Sequence, residues 1–250
     1  MNNNLLIVTG VHGNEQLPIK VVKKCFPSIK YLVANPKAVQ KKVRYIETDL
    51  NRSFPGKENG SLEEKCAQKL LPVLKKYDCI LDLHTSTCPT PPFTIITKYD
   101  QKHVDLALRT GVKRIVLMNK DFASGRALID HVSLGVSLEA GPDKDVRTEQ
   151  IIKQALINVL NKKKSESVSF YQIVGILRKI NKYEALTKKL QPFKLVRRGE
   201  YITNQKRKVD RDFYPVLPRS KSYQNFLCLM AKRLNLKDVE AKMKGGENYG

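Results

Sequence analysis

Through the first 160 residues, short apolar runs take turns with amphipathic stretches of helical period. Residues 5–9, 29–34, 79–83, 93–97, 114–118 and 134–138 are runs of strand length, too short for buried helices. Residues 17–25, 61–76, 101–109 and 145–163 carry one apolar face at helical spacing and predict helices. Ser61 with Glu64 three positions later forms a capping box for the second of these, each side chain satisfying an amide the helix leaves open. Strands alternating with helices predict an α/β fold, a mainly parallel sheet flanked by helices on both faces. Around 161–169 the chain turns to Lys, Ser and Glu, the end of the last helix and a linker. We divide the chain there into an α/β unit over 1–164 and a small β-rich C-terminal domain over 165–250. The second unit predicts strands over 168–177, 193–202 and 213–217, a helix over 223–234 and a frayed end over 242–250.

Composition narrows the classes of function. Hydrophobic residues make up 41% of the 250, enough for a core, which excludes a wholly disordered chain. The net charge is +22, and it is uneven: 22 of the 46 basic residues but 8 of the 24 acidic ones lie in 161–250. Such a field attracts anionic partners and steers anionic small molecules. The absence of Trp, of a base-stacking motif and of a helix-turn-helix signature speaks against nucleic acid. No run approaches membrane-spanning length and residues 5–9 are too short for a signal-peptide core, so no membrane partner and a cytoplasmic location are expected. The five cysteines include no CxxC pair and read as reduced packing residues.

In an open parallel sheet, ligands gather where strands end, so polar residues just past an apolar run are the candidates for chemistry. After the first strand comes Gly10-Val11-His12-Gly13-Asn14-Glu15, and after the third comes Asp82-Leu83-His84-Thr85-Ser86-Thr87. His12 and Glu15 converge from one turn, and His84 arrives from a neighbouring strand. Two imidazoles and one carboxylate suit a catalytic zinc with a fourth position left for water.

Further along, Ala34-Asn35-Pro36 and Arg44-Tyr45-Ile46-Glu47-Thr48-Asp49-Leu50-Asn51-Arg52-Ser53-Phe54 follow in order, then Ser137-Leu138-Glu139-Ala140-Gly141-Pro142. Together with GxHGNE and DLH, this series resembles the aspartoacylase and succinylglutamate desuccinylase family, zinc enzymes related to metallocarboxypeptidases. The resemblance implies a zinc-carboxypeptidase-like fold and one Zn2+ per chain, held by His12, Glu15 and His84. It implies a hydrolase that removes the acyl group from a small-molecule N-acyl amino acid or similar carboxylate-bearing amide. Glu139 matches the catalytic carboxylate, general base and then acid. Arg44 matches the arginine that polarises the scissile carbonyl. Asn51 and Arg52 match the pair that holds the substrate carboxylate, and Tyr223 matches a tyrosine that reaches in from the appendage. The aspartoacylase branch carries another arginine ten residues before its catalytic glutamate, where Ile129 stands here. Arg126, three residues earlier, is the substrate-binding candidate in its place.

Two alternatives stay open: a metallocarboxypeptidase-like peptide hydrolase, and a basic protein binding a polyanion or nucleic acid on the same fold. A homo-oligomer is equally open. Asp82 either orients a ligand imidazole or caps its strand, and Asp49 reads as structural, bonding its own loop or bracing an arginine. His103 and His131 fit no ligand spacing and read as ordinary surface or helix-end histidines. Cys79 and Cys88 flank His84 without forming a thiolate pair.

Overall fold

Along β3 (Cys79–Ser86) the side chains alternate: Cys79, Leu81 and Leu83 enter one hydrophobic cluster, while Ile80 enters the other and Asp82 and His84 share its face. Both faces are covered, so every residue of this strand is buried. The computed structural model describes residues 4–119, 125–222 and 225–244.

Among them a nine-stranded sheet runs in the order β2-β1-β3-β6-β4-β5-β7-β9-β8. Here β1 is Leu5–Thr9, β2 Tyr31–Val33, β4 Phe93–Ile96, β5 Arg114–Leu117, β6 Gly135–Pro142, β7 Ser169–Arg178, β8 Tyr214–Val216 and β9 Phe226–Leu234. From β2 to β6 the neighbours are parallel, β4 lies antiparallel against β6, and β5 and β7 follow β4 in parallel. The last two strands, β9 and β8, close the edge antiparallel. Helices α1 (Gln16–Cys25), α4 (Gln101–Arg109), α5 (Val146–Leu160) and α6 (Leu236–Lys244) bury residues such as Val22, Leu106, Ile152 and Val239 against one face. Helix α3 (Leu62–Leu74) contributes Ala67 and Leu74 to the other face, where the loops also pack. Short α2 (Pro36–Lys41) is capped by Asn35, whose side chain accepts from the Ala38 amide at 3.2 Å. The expected capping box is present: Ser61 N donates to Glu64 Oε2 at 2.9 Å and Glu64 N to Ser61 Oγ at 3.2 Å.

After residue 165 the structure corrects three expectations. Of the segment expected as a helix over 223–234, residues 223–224 lie outside the described residues and Phe226–Leu234 forms strand β9, because its run Phe226-Leu-Cys-Leu-Met-Ala is covered between β7 and β8. A continuous apolar run has no period of its own, and the neighbouring strands decide it. Residues 193–202 make no strand but two isolated bridges, Val196 to Phe213 and Tyr201 to Lys208, with a turn at Gly199 between them (φ +86°). The expected frayed end from 242 begins inside helix α6, which reaches Lys244; residues 245–250 lie outside the described residues. Leu177, Leu186, Val196, Ile202, Phe213 and Cys228 gather into a third cluster of their own. All five cysteines are free thiols. No helix among the described residues is long and apolar enough to cross a membrane.

The loop 44–49, which carries Arg44 and Asp49, is clamped by one carboxylate. Glu63, in the first turn of α3, accepts from the backbone amides of Ile46 (2.7 Å), Glu47 (3.1 Å) and Thr48 (3.1 Å), and from Asn35 Nδ2 (3.2 Å). Burial works against its charge, but these donors win and hold its pKa below the ordinary 4.5. The adjoining His12–Glu15 turn is seated against α2 through Gly13, where a Cβ would lie 2.0 Å from the Ala38 carbonyl carbon and 2.4 Å from Val39 N.

Two outcomes follow for stability. Gly13→Ala must push α2 away and is expected to cost about 3 kcal/mol or more in urea unfolding. Gly175→Ala, whose Cβ would meet nothing nearer than 3.8 Å, serves as the tolerated comparison. Glu63→Gln puts an amide donor against backbone donors and is expected to cost about 2–3 kcal/mol at pH 7. Because the folded pKa is depressed, the Glu63 contribution is full above pH 4.5 and vanishes as pH falls through the lower folded value. The gap between wild type and Glu63→Gln in urea midpoint should therefore close at acid pH; a gap unchanged at pH 3 would refute the clamp.

Candidate active site

Three elements meet where β1 and β3 end. Chain leaving β1 turns at Gly10 (φ +63°) into His12, and Glu15 stands immediately before α1. Glu15 does not cap that helix with its side chain, so its carboxylate is left for the site. Its Oε1 accepts from His12 Nδ1 at 2.7 Å, and its Oε2 accepts from His84 Nδ1 at 3.0 Å and from the Thr85 amide at 3.1 Å. One ligand atom from each of His12, Glu15 and His84 lies within 4.8 Å of the others, and all three residues are buried.

The far nitrogen of each imidazole is held by a second carboxylate. His12 Nε2 lies 3.1 Å from Asp49 Oδ1, and His84 Nε2 lies 2.7 Å from Asp82 Oδ2. Such partners fix ring orientation and leave Nδ1 of both rings aimed at one point. Asp82 is steadied in turn by Ser137 Oγ, which donates at 3.2 Å from the neighbouring strand. Asp49 also accepts the Asn51 amide at 2.9 Å and receives Arg44 through Nε (3.2 Å) and Nη2 (2.8 Å). Arg44 Nη1 lies 3.9 Å from Glu15 Oε1.

Burial opposes the charge on both imidazoles, yet the carboxylates prevail. Glu15 and Asp49 raise the pKa of His12 against the opposing Arg44, and Asp82 with Glu15 raises that of His84 well above the ordinary value. Glu15 and Asp49 are conversely held far below the carboxylate range, burial again being overcome, by the two imidazoles for Glu15 and by His12 with Arg44 for Asp49. Two nitrogens and one oxygen, buried, convergent and braced from behind, are a donor set that fits zinc in place of the shared protons.

Glu139 stands opposite His84 in the β3–β6 register, as Ser137 stands opposite Asp82. Period two puts all four on one face of the sheet. Burial pushes the Glu139 carboxyl up to about 7, with the Glu15 charge adding to it and His84 opposing. His84, Ser137 and Glu139 open onto a cavity of about 270 Å³ that Arg44, Asn51 and Arg52 also line. Asn51 and Arg52 sit in a short 3-10 turn (Leu50–Arg52) capped by Asp49. Asn51 Oδ1 accepts the Leu128 amide at 2.9 Å, and Arg52 Nη1 donates to the Asn51 carbonyl at 2.6 Å.

Arg126 goes elsewhere. Its guanidinium is exposed and pairs with Glu64 at 3.0 Å, and among the described residues the cavity is lined beside it by Ala127 and Ile129. Tyr223 lies outside the described residues. His103 is at a helix start as expected but buried, its Nδ1 on the Asp100 carboxylate at 2.9 Å; His131 Nε2 donates to the Gly125 carbonyl at 2.9 Å. The bond from Asp49 to His12 and the Ser137 contact were not foreseen. The second had a faint signal, since Ser137 is two residues before Glu139, but strand register is invisible in the sequence.

A profile of the succinylglutamate desuccinylase/aspartoacylase catalytic domain matches residues 2–161. A probable aspartoacylase of Prochlorococcus marinus is 29% identical over 193 residues, 66% of this chain and 64% of that protein. An N-acyl-aromatic-L-amino acid amidohydrolase (carboxylate-forming) of Xenopus tropicalis is 33% identical over 173 residues, 56% of this chain and 54% of that one. The matched segment thus spans less than two thirds of either relative. Murine aminoacylase 3 shares the fold, with a TM-score of 0.75 at 20% identity over 93% of this chain and 95% of that chain. With the profile covering the greater part of its length, the chain belongs to the succinylglutamate desuccinylase/aspartoacylase family.

Proposed function

We propose that this chain is a zinc-dependent amidohydrolase that cleaves the amide bond of an N-acyl amino acid or a similar small carboxylate-bearing amide. The observation that carries the reading is the buried convergence of His12, Glu15 and His84 beside Glu139, in a cavity that also holds Arg44, Asn51 and Arg52. Small-molecule sites run from about 300 Å³ upward, so a cavity of about 270 Å³ favours an amino-acid-sized substrate over a peptide.

His12 Nδ1, Glu15 and His84 Nδ1 would hold the metal, with Asp49 and Asp82 keeping the imidazoles neutral-side inward. Zinc in that position lowers the pKa of water and polarises a carbonyl oxygen. Arg52 presents a planar fork to the substrate's α-carboxylate, and Asn51 supplies an amide beside it. This anchors the scissile carbonyl near Glu139. The Glu139 carboxylate takes a proton from the attacking water and later delivers it to the departing amine nitrogen, so that the free amino acid and the carboxylic acid are released. A carboxyl whose pKa lies near 7 suits both transfers at neutral pH. Arg44, locked by Asp49, offers a cation that does not have to reorganise as negative charge grows on the carbonyl oxygen.

Amine release from a panel of acetyl, succinyl and longer N-acyl amino acids tests the reading. Zinc-loaded wild type should release amine, while Glu139→Gln should retain zinc by elemental analysis and lose roughly 100- to 10,000-fold in kcat. Full activity in Glu139→Gln would overturn its role, and silence of wild type across the panel would overturn the amidohydrolase. Arg52→Lys keeps the charge but loses the fork; KM should rise on the order of tenfold with kcat little changed. Unaltered kinetics would remove Arg52 from the site.

A further inference from the structure

The cavity has two chemically distinct ends, and sheet order separates them. The polar end belongs to β1, β3 and β6 and the loops that follow them. Across β4, β5, β7 and β9 the lining becomes mostly apolar, with Ile95, Met118, Ile176, Leu229 and Phe226 beside Thr97 and Arg178, and Ile129 closes it from the turn beyond Ala127. Period two keeps Ile95 and Met118 on the face that carries His84 and Glu139, and the register shifts between β7 and β9 bring the paired Ile176 and Leu229, with Phe226, into the hydrophobic cluster of the same face.

We propose that one arm of the substrate, acyl group or amino-acid side chain, is apolar and uncharged, and that this wall of Ile95, Met118, Ile129, Ile176, Phe226 and Leu229 receives it. The inference rests on the amidohydrolase reading for the orientation of the amide, but the wall exists regardless of it.

The cations of the cavity argue the same way. Arg44 is committed to Asp49 by two bonds, and Arg52 is the fork for the α-carboxylate. Arg126 pairs with Glu64 away from the cavity. Among the described residues the remaining lining cation, Arg178, sits exposed at the last position of β7. Arg178 pairs in register with Phe226 and stands two residues from Ile176, so a second substrate carboxylate would be desolvated against these apolar neighbours, which is disfavoured unless Arg178 meets it. An alkyl or aromatic arm gains from the same surface, about 10- to 200-fold for a methylene-sized difference that a fitted pocket can read.

Binding and turnover separate this inference from the reading beneath it. Affinities are measured by calorimetry on zinc-loaded Glu139→Gln for N-acetylglycine, N-acetylleucine, N-acetylphenylalanine, N-hexanoylglycine, N-acetylaspartate and N-succinylglutamate. At least one apolar member should bind tenfold or more tightly than N-acetylglycine and than both acidic members. Leu229→Ala and Ile176→Ala should each reduce the ratio of that affinity to the N-acetylglycine affinity about three- to tenfold, with folding checked by urea midpoint. Tighter binding of an acidic member would assign the arm to Arg178 and overturn the inference, as would equal affinities or no binding of any apolar member. If the apolar preference holds while wild type hydrolyses none of the panel, the hydrolase reading fails and the apolar site stands.

Discussion

Glu15 serves two buried imidazoles with one carboxylate, and the rest of the molecule is arranged to make that tolerable. Ionised groups removed from water are destabilising unless each is met by a partner and a hydrogen bond. Here the demand passes outward in steps. Glu15 meets His12, His84 and the Thr85 amide; His12 meets Asp49; His84 meets Asp82; Asp49 meets Arg44; Asp82 meets Ser137. The chain of partners ends at a cation on one branch and a hydroxyl on the other. A cation placed among the three ligand atoms would complete the compensation that two shared protons now provide.

The fold supplies those partners from segments distant in sequence, so rigid scaffolding is needed around them. Parallel register between β3 and β6 sets Ser137 against Asp82 and Glu139 against His84. Asp143, just past β6, accepts from the Leu17 amide at 2.9 Å and from Thr85 Oγ1 at 3.0 Å, tying α1 to the end of β3. On the opposite side, Glu63 holds the 44–49 loop by three of its amides, and Gly13 lets the His12 turn lie against α2. Each brace acts on neighbours of the charged residues, Gly13, Leu17, Thr85 and the amides of Ile46 to Thr48, rather than on their charged groups. This is how a loop, ordinarily the mobile part of a fold, can present Arg44 and Asp49 at fixed positions.

Much of this was legible in the sequence because it depends on period and spacing. The runs at 5–9 and 79–83 announced β1 and β3, and the side chains of His12, Glu15 and His84, singled out by three-residue and strand-end spacing, lie together. Ser61 and Glu64 formed the capping box their spacing implied. What stayed hidden depends on contacts between segments. Nothing in Asp49 distinguishes a brace for Arg44 from one that also holds His12. Glu63 looks like any acidic residue in a helix's first turn until the loop is seen folded over it. The strand β9 was misread because six consecutive apolar residues fit either period, and its antiparallel partners β7 and β8 are what choose. The apolar wall was invisible for the same reason: its members come from separate strands and turns spread over more than a hundred residues.

That wall and the charged cluster are physically one device. Burial is the leading cause of the Glu139 pKa near 7, and the cavity that Glu139 lines also carries apolar residues such as Ile95, Met118 and Leu229. The same low local polarity strengthens any interaction between Arg52 or Arg44 and negative charge on a bound molecule. Replacing the apolar end by charged groups would therefore do more than change which arm fits. It would weaken the desolvation that holds Glu139 between its two protonation states and screen the cations from the charges they face. The partners around Glu15 thus set the signs of charge at the polar end of the cavity, and burial sets how strongly those charges act.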